Sequence, residues 1–214
     1  MTDFYTAFHE RTNLIIQDTR KQLENYKIEV KYRDGVYRHL ECRNPANEWE
    51  CSFEIHTAPY VVTILGDWCK AYTLKREQDM LTEFLNTDEP NIGYWAERVQ
   101  NRTSLEATEY EFVKLCLFDW LDEWTEDYMN AETLNECKRE LEKWIDIDDP
   151  DIVRHLRDWE FCYRDKEGYI VETEPFRTFD YEDAFWDVWT EEWIRVCELL
   201  RWTACKVAAM EATQ

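Results

Sequence analysis

Two histidines and two cysteines lie close enough along the chain to suggest a metal site. A turn at residues 44–47 would bring them together, and zinc accepts both ligand types. Strand alternation argues against this, because a register that sets Leu40 opposite Cys51 places the cysteines on one sheet face and the histidines on the other. We therefore expect no zinc here, and interpret the set as a core cysteine pair beside solvated histidines. The four residues are His39, Cys42, Cys51 and His56.

A cluster of aspartates is the second candidate cation site. Four of them fall within six residues: Asp146, Asp148, Asp149 and Asp151. The EF-hand pattern fails, because its sixth position requires glycine and here holds Asp151, while its twelfth holds Arg157 rather than glutamate. Capping of a following helix explains the cluster, since carboxylates are favoured at helix N-termini. A metal-dependent enzyme that uses these carboxylates stays open as the alternative function.

Other catalytic signatures do not fit this sequence. The four glycines are far apart, so neither a P-loop nor a dinucleotide fingerprint can be written. Neither of the two serines lies in a nucleophile elbow. We expect no catalytic residue, no cofactor and no resident metal.

Rows of carboxylates at helical spacing are the strongest anomaly. Like charges at this spacing repel by a few tenths of a kcal/mol per pair. One row repeats about every 6 Å, more sparsely than the phosphates of a DNA strand, but rows on adjacent helices could imitate nucleic-acid charge. The alternative is a solvated face without special purpose. The first row is Asp119, Asp122, Glu123 and Glu126; the second is Asp183, Asp187 and Glu191.

The overall charge supports an acidic binding surface. The 214 residues include 47 acids and 25 Lys or Arg, a net charge of −22, of which −17 falls in residues 101–214. Repulsion from phosphates argues against direct nucleic-acid binding and favours a basic protein or nucleoprotein complex as partner. A homo-oligomer is left open.

The location follows from what the sequence lacks. No window resembles a membrane span, and residues 1–12 lack the basic start and apolar run of a secretory signal. We expect a soluble, cytoplasmic protein without membrane contact. Its eight cysteines contain no C-x-x-C pair, and we expect them to be reduced and mostly buried.

Hydrophobic periodicity gives the elements that position these residues. It predicts an N-terminal helix over 4–26, a meander with strands near 36–43, 48–56, 59–65 and 70–74, and a helix that begins after Arg76 and ends near 88–90. Further helices are predicted near 92–99, 108–128, 131–145, 150–159 and 182–210. Residues 161–173 suggest a hairpin or a structured loop. The fold class is α+β: a small antiparallel meander packed with about six helices, the C-terminal half mainly helical, in a single domain 1–214 with a possible sub-division into 1–100 and 101–214. Trp186, Trp189 and Trp193 form a stripe on the last helix, as core or as a partner-binding face.

Part of the chain resembles a family of uncharacterised bacteriophage and prophage proteins. The shared features are a strand running into Gly66-Asp67, then Tyr72-Thr73-Leu74, Arg76, Asp79-Met80 and Phe84, residues 91–97 including Tyr94-Trp95-Ala96-Glu97, and a C-terminal helix with Trp193, Cys197, Trp202 and Cys205. The resemblance covers about a third of the chain and implies a phage origin. Together with the charge, it leads us to expect an acidic interaction protein, not an enzyme, that inhibits a host defence complex of the anti-CRISPR or anti-restriction kind in the host cytoplasm.

Overall fold

The computed structural model describes residues 4–47, 51–101, 105–125, 129–145, 152–164, 169–176 and 187–213. The chain has an α+β fold with an antiparallel meander, as predicted, but the sheet has five strands where four were expected. Its backbone contacts divide it into two compact units. Unit 1 comprises residues 1–9 and 106–188, and unit 2 comprises residues 10–105 and 189–214.

The elements alternate between short strands and helices of unequal length. The helices are α1 (Phe4–Leu23), α2 (Ile92–Ala96), α3 (Tyr110–Thr125), α4 (Ala131–Trp144), α5 (Ile152–Arg157) and α6 (Glu191–Ala212), with a π-helical segment at Met80–Phe84. The strands are β1 (Lys27–Asp34), β2 (Tyr37–Arg43), β3 (Phe53–Ala58), β4 (Val61–Gly66), β5 (Cys69–Lys75), β6 (Glu106–Thr108), β7 (Phe161–Arg164), β8 (Ile170–Thr173) and β9 (Asp187–Trp189).

The main sheet of unit 2 is a meander in the order β1-β2-β3-β4-β5, so each strand pairs with the next one along the chain. Sequence reasoning did not predict β1. That strand lies at the sheet edge, and Val30 and Tyr32 on it are exposed. The signal was present in the sequence, because Ile28, Val30 and Tyr32 alternate with charged residues along β1, as in a strand with one polar face.

The predicted register between β2 and β3 is wrong. Leu40 lies opposite Ile55 rather than Cys51, because β3 begins only at Phe53 and the connection from β2 is longer than a tight turn. The displacement is four residues, an even number, so every side chain keeps its predicted face.

The core of unit 2 lies between one face of the sheet and α6. Residues Leu40, Phe53, Ile55 and Ile64 are fully buried on that face, and Trp193, Cys197 and Leu200 of α6 are buried with them. The helix predicted over 182–210 begins only at Glu191, where the Thr190 hydroxyl accepts a hydrogen bond from the Trp193 amide at 3.2 Å. Trp193 is therefore a core residue, Trp189 lies in β9, and Trp186 is outside the described residues.

Ion pairs tie α6 to other parts of unit 2. The Glu198 side chain is completely buried, and its carboxylate accepts hydrogen bonds from Arg20 at 3.1 and 3.2 Å and from Arg201 at 2.9 and 2.5 Å. Arg38 is also buried, and it pairs with Asp79 and with Glu211. These contacts satisfy charges that would be costly to bury alone.

Unit 1 is built around α3 and α4, which pack against each other. Its core contains Val113, Leu117 and Leu121 of α3 and Cys137 and Leu141 of α4, as the apolar stripes predicted. The hairpin suggested for 161–173 is present as β7 paired with β8. One residue of the predicted α4 stripe points elsewhere: Trp144 is exposed.

Among the helices in the described part of the chain, none has both the length and the apolar composition needed to cross a bilayer.

Candidate functional site

The first predicted acidic row lies on α3, but its members differ in environment. Asp119 and Asp122 are partly buried and Glu123 is exposed, while Glu126 lies outside the described residues. The Asp122 carboxylate accepts a hydrogen bond from Lys138 on α4 at 2.5 Å. One charge of this row is therefore neutralised within unit 1.

The second predicted row does not lie along one helix. Asp187 is the first residue of β9 and Glu191 is the first residue of α6, so the helical spacing between them is lost. Glu191 forms an ion pair with Arg195, four residues on. Asp183 is outside the described residues.

A carboxylate row that sequence reasoning missed follows the outer face of α4. Glu132, Glu136 and Glu140 are spaced by four residues, and all three are exposed. Of these three glutamates, only Glu140 forms an ion pair within the part of the chain that the structure describes, with Lys143 at 2.6 Å. The spacing i, i+4, i+8 is visible in the sequence and could have identified this row.

The α4 row borders a groove that it shares with β7. The groove has a volume of about 480 Å³. Its acidic lining residues are Glu136, Glu140 and Glu160, and its aromatic ones include Trp144 and Trp159. Trp159 stacks on Phe161 with ring centroids 6.1 Å apart, which fixes the groove floor. The groove thus combines negative charge with flat apolar surface.

The acidic charge is concentrated in the unit that carries this groove. Unit 1 contains 27 of the 47 acids but only nine of the 25 Lys and Arg, which gives it a net charge of −18. Unit 2 has a net charge of only −4. The C-terminal helix α6 lies in the acidic half of the sequence, but it belongs to unit 2, in which acidic and basic residues are nearly equal in number.

The two histidines of the first candidate set are direct partners across β2 and β3. Their rings stack with centroids 4.2 Å apart and planes 20° apart. Both approach one carboxylate oxygen of Glu54: Oε2 lies 2.9 Å from Nε2 of His39 and 3.1 Å from Nε2 of His56. Hydrogen bonding to the two histidines, His39 first, lowers the pKa of Glu54 below its usual value despite some desolvation.

The cysteines of that set lie elsewhere. Cys42 is buried in the core beneath the sheet, on the face opposite His39, which confirms the predicted separation of cysteines from histidines. Cys51 is exposed in the connection before β3, so the expected core cysteine pair is wrong. Of all eight free thiols, Cys42, Cys137 and Cys197 are buried, three are partly buried, and Cys51 and Cys162 are exposed.

The aspartates Asp146, Asp148, Asp149 and Asp151 lie outside the described residues, so the structure places no site there. Comparisons with protein-family models, with curated proteins and with solved structures find no match to this chain. The resemblance to phage proteins therefore stays a prediction, and any functional argument depends on the surfaces themselves.

Proposed function

We propose that this chain is an acidic interaction protein that inhibits a host defence complex by occupying a basic groove meant for nucleic acid. The partner is a basic protein or nucleoprotein complex of the CRISPR or restriction kind, and the site of action is the host cytoplasm. The protein acts by binding and not by catalysis.

The observation that supports this proposal is the uneven division of charge between the units. A net charge of −18 on unit 1 against −4 on unit 2 concentrates the field on one compact body. Such a field attracts a positively charged cleft and raises the rate of encounter. A uniformly solvated protein has no need of this asymmetry.

The α4 face is the part of unit 1 best suited to the contact. Its three glutamates repeat every 6 Å or so along the helix, and Glu160 adds a carboxylate across the groove. Trp144, 37% exposed, supplies the kind of aromatic anchor that dominates many interfaces. Tyr169 and Ile170 on the neighbouring hairpin are also exposed. This face replaces the α3 row as the centre of the proposed surface.

Competition with a labelled DNA duplex tests the proposal. Purified CRISPR effector complexes and restriction endonucleases are loaded with the duplex, the protein is added, and fluorescence anisotropy reports displacement. We expect displacement from at least one complex, weakening steeply between 50 and 200 mM salt, as for contacts that replace phosphates (~10-fold or more). Displacement from none of these complexes would reject the proposal.

Matched variants separate the α4 surface from general acidity. The triple variant Glu132→Gln, Glu136→Gln, Glu140→Gln removes three charges from unit 1 while keeping shape. The control Glu24→Gln, Glu77→Gln, Glu97→Gln removes the same charge from unit 2. We expect the first to slow association at least fivefold or so and the second to have little effect. Equal effects would show that net charge alone, and not this face, drives binding.

A further inference from the structure

We propose that His39, Glu54 and His56 form a binding site for Zn²⁺ or a similar divalent transition-metal ion. Among the described residues, this is the group whose metal-ligating atoms converge, all within 4.8 Å of one another. The site is distinct from the acidic surface proposed above, because all three residues belong to unit 2.

The distances between ligand atoms suit one small cation. Two ligands at about 2.0–2.1 Å from a tetrahedral zinc ion lie about 3.4 Å apart. The two imidazole nitrogens are 2.9 and 3.1 Å from the same glutamate oxygen. An ion therefore requires each of these two nitrogen–oxygen distances to widen by only a few tenths of an ångström, a movement that side-chain torsions can provide. The three ligand atoms together lie within 4.8 Å of one another.

The backbone holds the three residues in place before any ion arrives. Glu54 and His56 alternate onto the same face of β3, and His39 is the cross-strand partner of His56. Both strands are interior to the sheet, with β1 beyond β2 and β4 beyond β3. Glu41, opposite Glu54 in the register, is already paired with Lys31 at 2.6 Å, which leaves Glu54 to the histidines. A site on paired strands loses little entropy on binding.

The donor set determines the class of metal. Two imidazoles and one carboxylate are typical of zinc and other transition metals, whereas Mg²⁺ and Ca²⁺ prefer oxygen ligands alone. All three side chains are between 36% and 44% exposed, so solvent can supply the fourth ligand. For both histidines to bind through Nε2, each carries its proton on Nδ1.

Calorimetric titration of the full chain with ZnCl₂, after removal of bound metal with EDTA, is the first test. We expect one ion per chain, with MgCl₂ giving no comparable saturable heat. The variants His39→Gln and His56→Gln should each weaken binding at least tenfold, about 1.4 kcal/mol. The matched controls are His9→Gln and His155→Gln, the other two histidines of the chain, and these should bind as the wild type does.

Exposed thiols are an alternative source of zinc ligands, and a second measurement excludes confusion with them. In NMR spectra of the wild-type protein, zinc should shift the imidazole ¹⁵N resonances of His39 and His56 only. The Cys51→Ser, Cys162→Ser variant should bind zinc as the wild type does. The proposal is overturned if no saturable binding occurs, if binding survives both histidine variants, or if it disappears with the two cysteines.

Discussion

The Nζ atom of Lys138 lies 2.5 Å from the Asp122 carboxylate and joins α4 to α3. The lysine side chain is only 6% exposed, and its ammonium also lies 5.4 Å from the ring centroid of Phe118. Asp122 thus contributes to the packing of unit 1, although its spacing in the sequence indicated a place in a surface row.

Replacing Asp122 by Asn should therefore lower stability. The substitution removes the anion from a mostly buried ammonium, but Asp122 is 42% exposed and water screens part of the effect. We expect a loss of about 1–2 kcal/mol in the free energy of unfolding, measured with urea. Glu123→Gln, at the adjacent exposed position, should change stability little. Equal losses in the two variants would contradict this role of the ion pair.

Glu198 and Glu89 provide a test of how burial affects the strength of an ion pair, since both bind Arg20. Glu198 is fully buried and also binds Arg201, whereas the Glu89 side chain is 67% exposed. Glu198→Gln should cost about 3–5 kcal/mol, because two arginines lose their shared anion. Glu89→Gln should cost less than about 1 kcal/mol. Urea denaturation of both variants gives the comparison, and a smaller effect at Glu198 would refute it.

Asp79 should make stability depend on pH in the acid range. Burial disfavours its charged form, but two hydrogen bonds from Arg38, at 3.1 and 2.7 Å, together with the arginine's charge and the Thr82 amide, hold its pKa below the usual value. A lowered folded-state pKa means that the stabilisation is present above the unfolded pKa, about 3.9, and is lost as pH falls through the folded value. The stability difference between wild type and Asp79→Asn should be constant near neutrality and shrink below about pH 4. A difference that does not vary with pH would show that the carboxylate charge is not what matters.

The elements with strong apolar periodicity were predictable from sequence, and those set by long-range pairing were not. The stripes of α3 and α4 and the meander itself follow from local spacing, as Leu117 and Leu141 illustrate. Local spacing did not distinguish strand from helix around Trp189, because three residues of β9 are too few to show a period.

The candidate sites show the same limit. The row on α4 was visible in the sequence as a four-residue repeat of Glu132, Glu136 and Glu140. Its exposure could not be predicted, because it depends on which face of α4 packs against α3. The cluster of Glu54 with the two histidines depends on the β2–β3 register, which the length of the intervening connection fixes. The alternation of side chains along each strand was enough to place His39 and His56 on the same face of the sheet. Glu54 lies on that face too, because it is two residues before His56 on β3.

Gly66 should tolerate no side chain. Its φ is +148°, and a Cβ there would lie 2.5 Å from the Ser52 carbonyl oxygen and 2.6 Å from the Phe53 Cα. Gly66→Ala should therefore cost about 3 kcal/mol or more, from backbone strain and a clash with main-chain atoms. Gly35, with φ of +59° and open space around it, is the matched control, for which alanine should cost about 1 kcal/mol. Thermal unfolding of both variants measures the difference between their losses of stability. Equal losses would contradict the prediction and show that β3 moves away from the added methyl group.

The thiols should react with a disulfide reagent at rates set by their burial. Cys51 and Cys162 are exposed, whereas burial raises the pKa of Cys42 and Cys137 to about 12 and that of Cys197 well above its usual value. Because the thiolate is the reactive species, two thiols should react rapidly in the native protein at pH 8, and all eight should react after unfolding without reductant. The Cys51→Ser, Cys162→Ser variant should lose the rapid phase and keep the slow one. A rapid phase that persists in this variant, or fewer than eight reactive thiols in the unfolded wild type, would contradict the burial and the free state of these cysteines.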